Sequence, residues 1–336
     1  AVGQNDAGQL GDGTTTDRNS SVMIVDVNVT VVAAGNSHSL YLKSNGSLWA
    51  MGANGKGQLG DSTTTNRASP VQVESSGVTS VAAGYDHSLY LKSDGSLWGM
   101  GENQYGQLGL GTTTDQNSTV QILDANATAI AAGGNHSLYL KLDGSLWAMG
   151  RNFEGQLGDG SNTDRSFAVQ VEPSGVIAIA AGQKHSLFIK NDNTLLGMGL
   201  NSYGQLGGGT TNDRNTSVQI DGNVTAVTAG FNHSLYIKTG GSLWAMGRNQ
   251  YGQLGDGATE DKNSSVQILA SGASGVYASA SGNHSLYLKT DGALWAMGFN
   301  SRGQLGGGTL TDRSTPVQVN KTLTLNTAGS GNVSGA

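Results

Sequence analysis

The sequence has no cysteine, only three prolines, few charged residues and no long hydrophobic run. Without cysteine there is no disulfide, no thiolate metal site and no cysteine nucleophile. Without a run of about 18 apolar residues, no helix is expected to span a membrane. Charged residues make up 12% of the 336 residues, which is low for a helical protein of this size. These absences favour a protein built from strands and turns.

Glycine is abundant, with 53 residues, and Ser, Thr and Asn fill much of the remainder. This composition is typical of many short strands joined by tight turns. The net charge is −6, and most basic residues recur once per repeat instead of clustering, so no nucleic-acid partner is expected. An acidic, cysteine-free chain favours a secreted or surface-exposed bacterial protein. The chain begins at Ala1 without an initiator methionine or a signal-peptide pattern, as expected of a mature form or a fragment.

An internal repeat dominates the chain. The motif GQLG begins at residues 8, 57, 106, 155, 204, 252 and 303, with a period close to 49 residues. This spacing leaves no room for a second domain within residues 1–319, and a period of this length is typical of solenoids and propellers.

Each repeat reads as four short strands, for example VTSVAAG, HSLYLK, SLWAMG and SPVQVE. Pairs such as Asn45-Gly46 favour a two-residue type I′ hairpin between the second and third strands. That turn places Leu42 opposite Trp49 and leaves both faces of the hairpin largely apolar. Small sheets covered on both sides are expected when similar sheets stack around an axis. The sequence therefore predicts an all-β propeller of four-stranded blades.

The stretch VTSVAAGYDHSLYLKSDGSLWGMGENQYGQLGLGTTTD resembles the repeat of the regulator-of-chromosome-condensation family. The resemblance covers roughly residues 1 to 319 and implies a seven-bladed propeller that acts by binding. Members of that family serve as exchange factors for a small GTPase, as inhibitors of secreted β-lactamase, as a plant UV-B receptor or as parts of toxin assemblies. The photoreceptor role is disfavoured, because its Trp-rich motif corresponds here to GYDHS and GFNHS.

The strand count at the chain ends is uneven. There are seven copies of the fourth strand but six of each other strand. The expected fold is therefore of the seven-bladed type, with six complete repeats and one incomplete terminal blade. The tail, residues 320–336, is either the start of another β-repeat domain or a degenerate closing strand.

The repeated histidines are expected to be structural. They occupy one repeat position each and would lie one blade apart, so they cannot converge on one metal ion. The adjacent serine points to the opposite face of the strand, which excludes a catalytic pair within one repeat. The six residues are His38, His87, His136, His185, His233 and His284.

No other motif predicts catalysis or a cofactor. Asp12 and Asp17 lie among hydroxyl groups and could hold calcium, but their spacing matches no EF-type loop, and local turn bonding is the simpler interpretation. The acidic residues outside the repeat columns, Glu102, Glu154 and Glu260, belong to different blades. The sequence therefore predicts neither an enzyme nor a bound metal or cofactor.

Function is expected where the repeats differ. In a meander, the connection before each histidine and the loop after each third strand lie at the same end of the blade. Aromatic and arginine side chains on a rigid scaffold are common at protein interfaces. The variable residues at that end are Tyr85, Tyr105, Phe153, Tyr203, Phe231, Tyr251, Phe299, Arg151, Arg248 and Arg302.

These observations favour a non-enzymatic propeller that binds another protein through this face. One alternative is a structural subunit that assembles with further copies of itself into a fibre or array, a neighbouring copy completing the open blade. Another is an inhibitor of a secreted enzyme such as a β-lactamase. A third interpretation of the variable aromatic residues is that they only cap the blades.

Overall fold

A computed structural model describes residues 1–24 and 28–319. Twenty-four strands occur in these residues. The first twelve are β1 Val29–Ala34, β2 His38–Lys43, β3 Leu48–Gly52, β4 Arg67–Glu74, β5 Val78–Ala83, β6 His87–Lys92, β7 Leu97–Gly101, β8 Gln116–Leu123, β9 Ala127–Ala132, β10 His136–Lys141, β11 Leu146–Gly150 and β12 Arg165–Glu172. The remainder are β13 Val176–Ala181, β14 His185–Lys190, β15 Leu195–Gly199, β16 Arg214–Asp221, β17 Val224–Ala229, β18 His233–Lys238, β19 Leu243–Gly247, β20 Lys262–Leu269, β21 Ala273–Tyr277, β22 His284–Lys289, β23 Leu294–Gly298 and β24 Arg313–Gln318.

Each group of four consecutive strands forms one antiparallel sheet in sequence order. We call these sheets blades 1 to 6, from β1–β4 to β21–β24. The six blades stand in a ring, which confirms the all-β propeller with four-stranded blades. The described residues contain no helix long and apolar enough to cross a lipid bilayer.

The predicted seven-bladed ring with an incomplete terminal blade is wrong, because residues 1–24 and 28–319 form six blades. Residues 1–24 build no sheet, although their backbones pair at the isolated bridge between Gly3 and Arg18 and between Ala1 and Val22. The Ser279 hydroxyl of blade 6 instead donates to the Ala34 carbonyl of blade 1 at 3.0 Å, which joins the two blades directly. Counting strand-like motifs in the sequence could not show whether the seventh copy of the fourth strand has enough neighbouring strands to form a blade. The tail at 320–336 lies outside the described residues.

The hairpin between the second and third strands also differs from the prediction. Leu42 pairs with Leu48 and Tyr41 with Trp49, one residue away from the expected register. The loop has three residues and ends with Gly46 at a φ of +76°, where a side chain would be strained. Tyr41 and Trp49 consequently stack at a centroid distance of 6.2 Å on one face.

We call the surface between two neighbouring blades a seam, and name it by its blades. In seam 1/2, the Leu40 and Leu48 side chains of blade 1 pack against Val81, Tyr90 and Met100 of blade 2. Equivalent apolar clusters fill seams 2/3, 3/4, 4/5 and 5/6. The core of the molecule is therefore divided among five seams, each formed by two unlike faces of the same repeat.

Candidate binding face

The front face of the ring carries the connections between first and second strands and the long loops after third strands. Backbone hydrogen bonds hold these two segments together: Ala53 N–H donates to the Ser37 carbonyl at 2.7 Å, and Glu102 N–H donates to the Asp86 carbonyl at 2.7 Å. The prediction that both segments lie at one end of each blade is confirmed.

Each long loop is held by an asparagine at its start. The Asn54 side chain accepts from the Leu59 N–H at 3.0 Å and donates to Asp61 at 2.9 Å. Asp61 also accepts from Arg67, which begins the fourth strand. Gly57, at a φ of +81°, lets this loop lie directly against the backbone of Asn117 in the next blade. The loops are thus rigid supports for their variable side chains.

Asp12 and Asp17, considered for calcium, are engaged by the protein itself. Asp12 accepts from the side chains of Asn5, Thr14 and Arg18, and the hydrogen bond from Thr14 is the main cause that lowers the pKa of this carboxyl group. Asp17 accepts from the Asn5 N–H and from Arg302. No group of three or more His, Asp or Glu residues suited to a metal ion occurs in residues 1–24 and 28–319.

Five of the six repeated histidines join neighbouring blades. Nε2 of His38 lies 2.9 Å from the Ser88 hydroxyl of blade 2, and Ser88 donates its proton to the Gln58 carbonyl. The serine must therefore accept from the histidine, so Nε2 carries the proton. Equivalent bonds start at His87, His136, His185 and His233.

These five histidines are fully buried and neutral. Burial lowers the pKa of His38 to about 4, and burial is also the main cause that lowers the pKa of His87 to about 3. Sequence reasoning missed their serine partners, because it considered only the adjacent serine. The signal was present, since a His-Ser pair repeated in every blade can also bond from one blade to the next. The sixth histidine, His284, is only half-buried.

Two of the predicted face residues close the channel. Tyr85 of blade 2 and Phe231 of blade 5 meet across the ring with a centroid distance of 6.3 Å. Their backbones belong to a chain of hydrogen bonds between blades, in which the Tyr85 N–H donates to Gly134 and the Phe231 N–H donates to Gly282. Burial raises the pKa of Tyr85 to about 12. These aromatic rings thus close the channel at the front face.

Most of the other predicted residues pair across seams. The Arg151 guanidinium lies 5.6 Å from the Tyr105 ring, and that of Arg248 lies 5.1 Å from the Tyr203 ring. The Tyr251 and Phe299 rings are 4.8 Å apart. Ion pairs at the same face join Lys56 with Asp115 and Glu154 with Lys184 across seams, and Arg302 with Asp17 of residues 1–24. The sequence did not reveal this pairing, since the partners are far apart in the chain and differ from seam to seam.

Phe153 is the predicted residue that the structure leaves most exposed. Its side chain is 73% exposed at the tip of a rigid loop in blade 3. Beside it lies an open groove of about 480 Å³, lined by Tyr105, Arg151 and Asp164. An exposed aromatic ring next to an arginine and an open groove has the composition of an interface centre.

Known proteins share this architecture. The sequence pattern of the RCC1-like domain family matches residues 1–335. A search of curated proteins finds no match. The crystal structure of human WBSCR16 is 25% identical, with a TM-score of 0.78 over 88% of this chain and 82% of that one.

Two yeast structures are similar in fold. Prp20p from Saccharomyces cerevisiae, described with its binding to Gsp1p and histones, is 20% identical, with a TM-score of 0.84 over 96% of this chain and 86% of that one. Yeast RCC1 (Prp20) bound by Kap60 is 21% identical, with the same TM-score over 96% of this chain and 83% of that one. Both show the shared fold at low sequence identity.

Proposed function

The chain belongs to the RCC1-like domain family, and from that premise we propose that it is a non-enzymatic propeller that binds another protein through its front face. The observation that carries the proposal is the exposed Phe153 beside the groove of Tyr105 and Arg151. The yeast relative Prp20p is described as binding proteins, namely Gsp1p and histones, which supports a protein partner here as a class.

The rigidity of the groove favours binding without prior rearrangement. Arg151 lies against Tyr105 and pairs with Glu154 at 3.0 Å, so its guanidinium is already oriented. A partner that covers Phe153 therefore gains apolar contact without ordering a mobile loop. Secretion or surface exposure by a bacterium remains a proposal supported by composition alone.

The proposal is tested by capture and rebinding. Wild-type protein, Phe153→Ala and the control Leu142→Ala are used to capture partners from an extract of the source organism. Leu142 is 75% exposed in a hairpin loop on the opposite face. Each captured protein is purified, and its affinity for the three proteins is measured by calorimetry.

Loss of a central aromatic anchor costs about 2 kcal/mol or more, so Phe153→Ala should weaken binding by about 30-fold. Leu142→Ala should leave the affinity unchanged. A partner whose affinity is insensitive to Phe153→Ala, or falls equally in both variants, would contradict a front-face site.

Self-assembly is a second candidate, favoured by exposed apolar side chains at seam 6/1. Val32 is 73% exposed there, whereas its counterpart Val81 in blade 2 is 9% exposed. Light scattering across a concentration series should show growth beyond about 34 kDa if copies associate. A mass that stays at that of one chain would exclude it. No contact in the described part of the chain favours inhibition of a β-lactamase over another protein partner.

A further inference from the structure

Five glutamines lie beneath the front face at one repeat position, one in each of seams 1/2 to 5/6. They are Gln58, Gln107, Gln156, Gln205 and Gln253, and we call them the seam glutamines. All five are buried. Oε1 of each accepts from the backbone N–H two residues earlier in the same loop, at 2.9 to 3.1 Å. This bond fixes the orientation of the amide, so Nε2 is the atom that needs an acceptor.

In the first three seams, this acceptor is a carboxylate that the chain itself supplies. Nε2 donates from Gln58 to Asp86 at 2.9 Å, from Gln107 to Glu102 at 3.2 Å and from Gln156 to Glu154 at 3.3 Å. In seam 2/3 the side chain of Asn135 also donates to Glu102, at 2.6 Å. A buried carboxylate held by amide N–H groups is therefore a recurring feature of this ring.

Seam 4/5 has the same glutamine but no carboxylate beside it. At the three positions that supply a carboxylate in the other seams, it has Leu200, Tyr203 and Asn232. Nε2 of Gln205 bonds to no described residue, and neither does Oδ1 of Asn232, a residue that is only 4% exposed. Buried polar groups are nearly always hydrogen-bonded in folded proteins, so these two amides are candidates for binding a ligand.

An arginine lies at the same place. The Arg248 N–H donates to the Asn232 carbonyl at 2.9 Å, and Cβ of Gln205 lies directly against Gly247, the residue before the arginine. The Arg248 guanidinium lies 5.1 Å from the Tyr203 ring and forms no ion pair with any residue in the described ranges. A buried glutamine, a buried asparagine and an unneutralised guanidinium thus converge in seam 4/5.

Seam 5/6 also has no carboxylate at its glutamine, but it is covered differently. Nε2 of Gln253 is unpaired among the described residues. The Tyr251 and Phe299 rings pack together above it, 4.8 Å apart, and in the described chain no cation stacks on either ring. Seam 4/5 is therefore the seam that offers both the amides and the positive charge.

We propose that seam 4/5 binds a carboxylate of the front-face partner, namely an aspartate or glutamate side chain that enters beside Arg248 and Tyr203. The carboxylate accepts from Nε2 of Gln205 and from the Arg248 guanidinium. It also accepts from the Asn232 amide, which turns its Nδ2 inwards as Asn135 does in seam 2/3. This inference rests on the proposed function, because the acidic side chain belongs to the protein bound at that face.

The choice of a carboxylate follows from the other seams. Three seam glutamines already have a carboxylate as acceptor, and in seam 3/4 that carboxylate also has cations beside it. Arg151 and Lys184 both pair there with Glu154, at 3.0 and 2.9 Å. Hydrogen bonds from guanidinium and amide groups to an ionised carboxylate are stronger than those to a neutral oxygen. A partner side chain with this group reproduces in seam 4/5 what the chain supplies by itself in seam 3/4.

The probes are two capped tripeptides, acetyl-Gly-Glu-Gly-amide and acetyl-Gly-Gln-Gly-amide, which differ only in the charge of one side chain. Propionate is a third probe that carries the carboxylate without a peptide. Each is titrated at constant ionic strength into the nitrogen-15-labelled full chain, and NMR follows the side-chain amide of Gln205. The side-chain amide of Gln156 is the internal control, because Glu154 already accepts from it.

Two variants complete the experiment. Arg248→Met removes the guanidinium and keeps a flexible apolar stem of similar length. Tyr203→Glu places a carboxylate at the position that Glu154 occupies in blade 3. The dispersion of the backbone amide signals verifies that both variants are folded.

We expect a millimolar Kd for the glutamate peptide, with a shift of the Gln205 signal and none of the Gln156 signal. The glutamine peptide should bind at least about tenfold more weakly, and so should the glutamate peptide with Arg248→Met. Tyr203→Glu should abolish binding, because its own carboxylate takes the place of the ligand.

Absence of a Gln205 shift at about 50 mM peptide, equal binding of the two peptides, or an unchanged affinity in Arg248→Met would overturn the proposal. Binding of propionate without binding of the glutamate peptide would overturn the protein source and assign the site to a free small carboxylic acid. The two proposals fail separately, since the front-face partner is tested by Phe153→Ala and the carboxylate site by the Gln205 signal.

Discussion

Seams 1/2 and 6/1 are made from nearly identical sequences, yet only the first is closed. In seam 1/2 the HSLYLK strand of blade 1 brings Leu40 against Val81 of β5 and His38 against Ser88 of β6. In seam 6/1 the same strand in blade 6 leaves Leu286 half-buried, and His284 bonds to no serine among the described residues. The repeat sequence specifies a blade with two apolar faces. The free energy of unfolding depends on which neighbouring face covers each of them.

The largest difference is expected for leucine truncation. Leu40→Ala removes a fully buried side chain and should lower the free energy of unfolding by about 2–5 kcal/mol. Leu286→Ala removes the equivalent but half-buried side chain and should cost about half of that or less. Urea unfolding of both variants measures the two values. Equal losses would mean that seam 6/1 is packed as tightly as seam 1/2.

One repeat position, three residues before the histidine, is Gly84 in blade 2 and Ser281 in blade 6. A methyl group at Gly84 would overlap the His87 ring and lie 2.5 Å from the Gly133 carbonyl oxygen of blade 3. Blade 6 already holds a side chain at this position, and the Ser281 hydroxyl lies 2.9 Å from that of Ser279. Gly84→Ala should therefore destabilise by about 1–3 kcal/mol or more, and Ser281→Ala by less. Thermal unfolding tests this, and a reversed order would contradict the described seam geometry.

The smallest effect concerns pH and the buried histidines. The pKa of His87 is about 3 in the folded chain and about 6.5 in an unfolded one, so the unfolded state binds the extra proton between these values. The free energy of unfolding is therefore highest above about pH 6.5, where His87 is neutral in both states. It decreases as the pH falls from 6.5 towards 3. Because burial raises the pKa of the Asp86 and Glu102 carboxyl groups, the histidine contribution is taken from the difference in pH slope between each histidine variant and the wild-type chain.

The matched variants are His87→Gln and His284→Gln. Replacing His87 should reduce the slope of the free energy of unfolding against pH by up to one proton, which is about 1.4 kcal/mol per pH unit at most. It should also lower the free energy of unfolding at pH 7 by about 1–3 kcal/mol. Replacing His284 should lower stability at pH 7 by less, because no serine bond is lost. Urea unfolding at several pH values measures both quantities. An unchanged pH slope in His87→Gln would show that this histidine is not held neutral.

The sequence predicted the fold class because a 49-residue period with four strand patterns is specific for propeller blades. It predicted that Tyr105 and Arg151 share one face, since strand direction alternates in a meander. It did not predict that they contact each other, because that depends on blade order in space. The hairpin register was wrong because Asn45-Gly46 fits both a two-residue and a three-residue loop. The blade number was wrong because the strand-like motif in residues 1–24 pairs with Ala1 and Gly3 but forms no four-stranded sheet.

We infer that the terminal blades are held less firmly than the inner ones although their sequences are alike. Native-state hydrogen exchange measures this residue by residue, for example at the amides of Leu138 in blade 3 and Leu286 in blade 6. We expect a lower opening free energy for Leu286 and for its neighbours in β21 and β22 than for the equivalent positions in blade 3. Equal protection at equivalent positions of all six blades would contradict it.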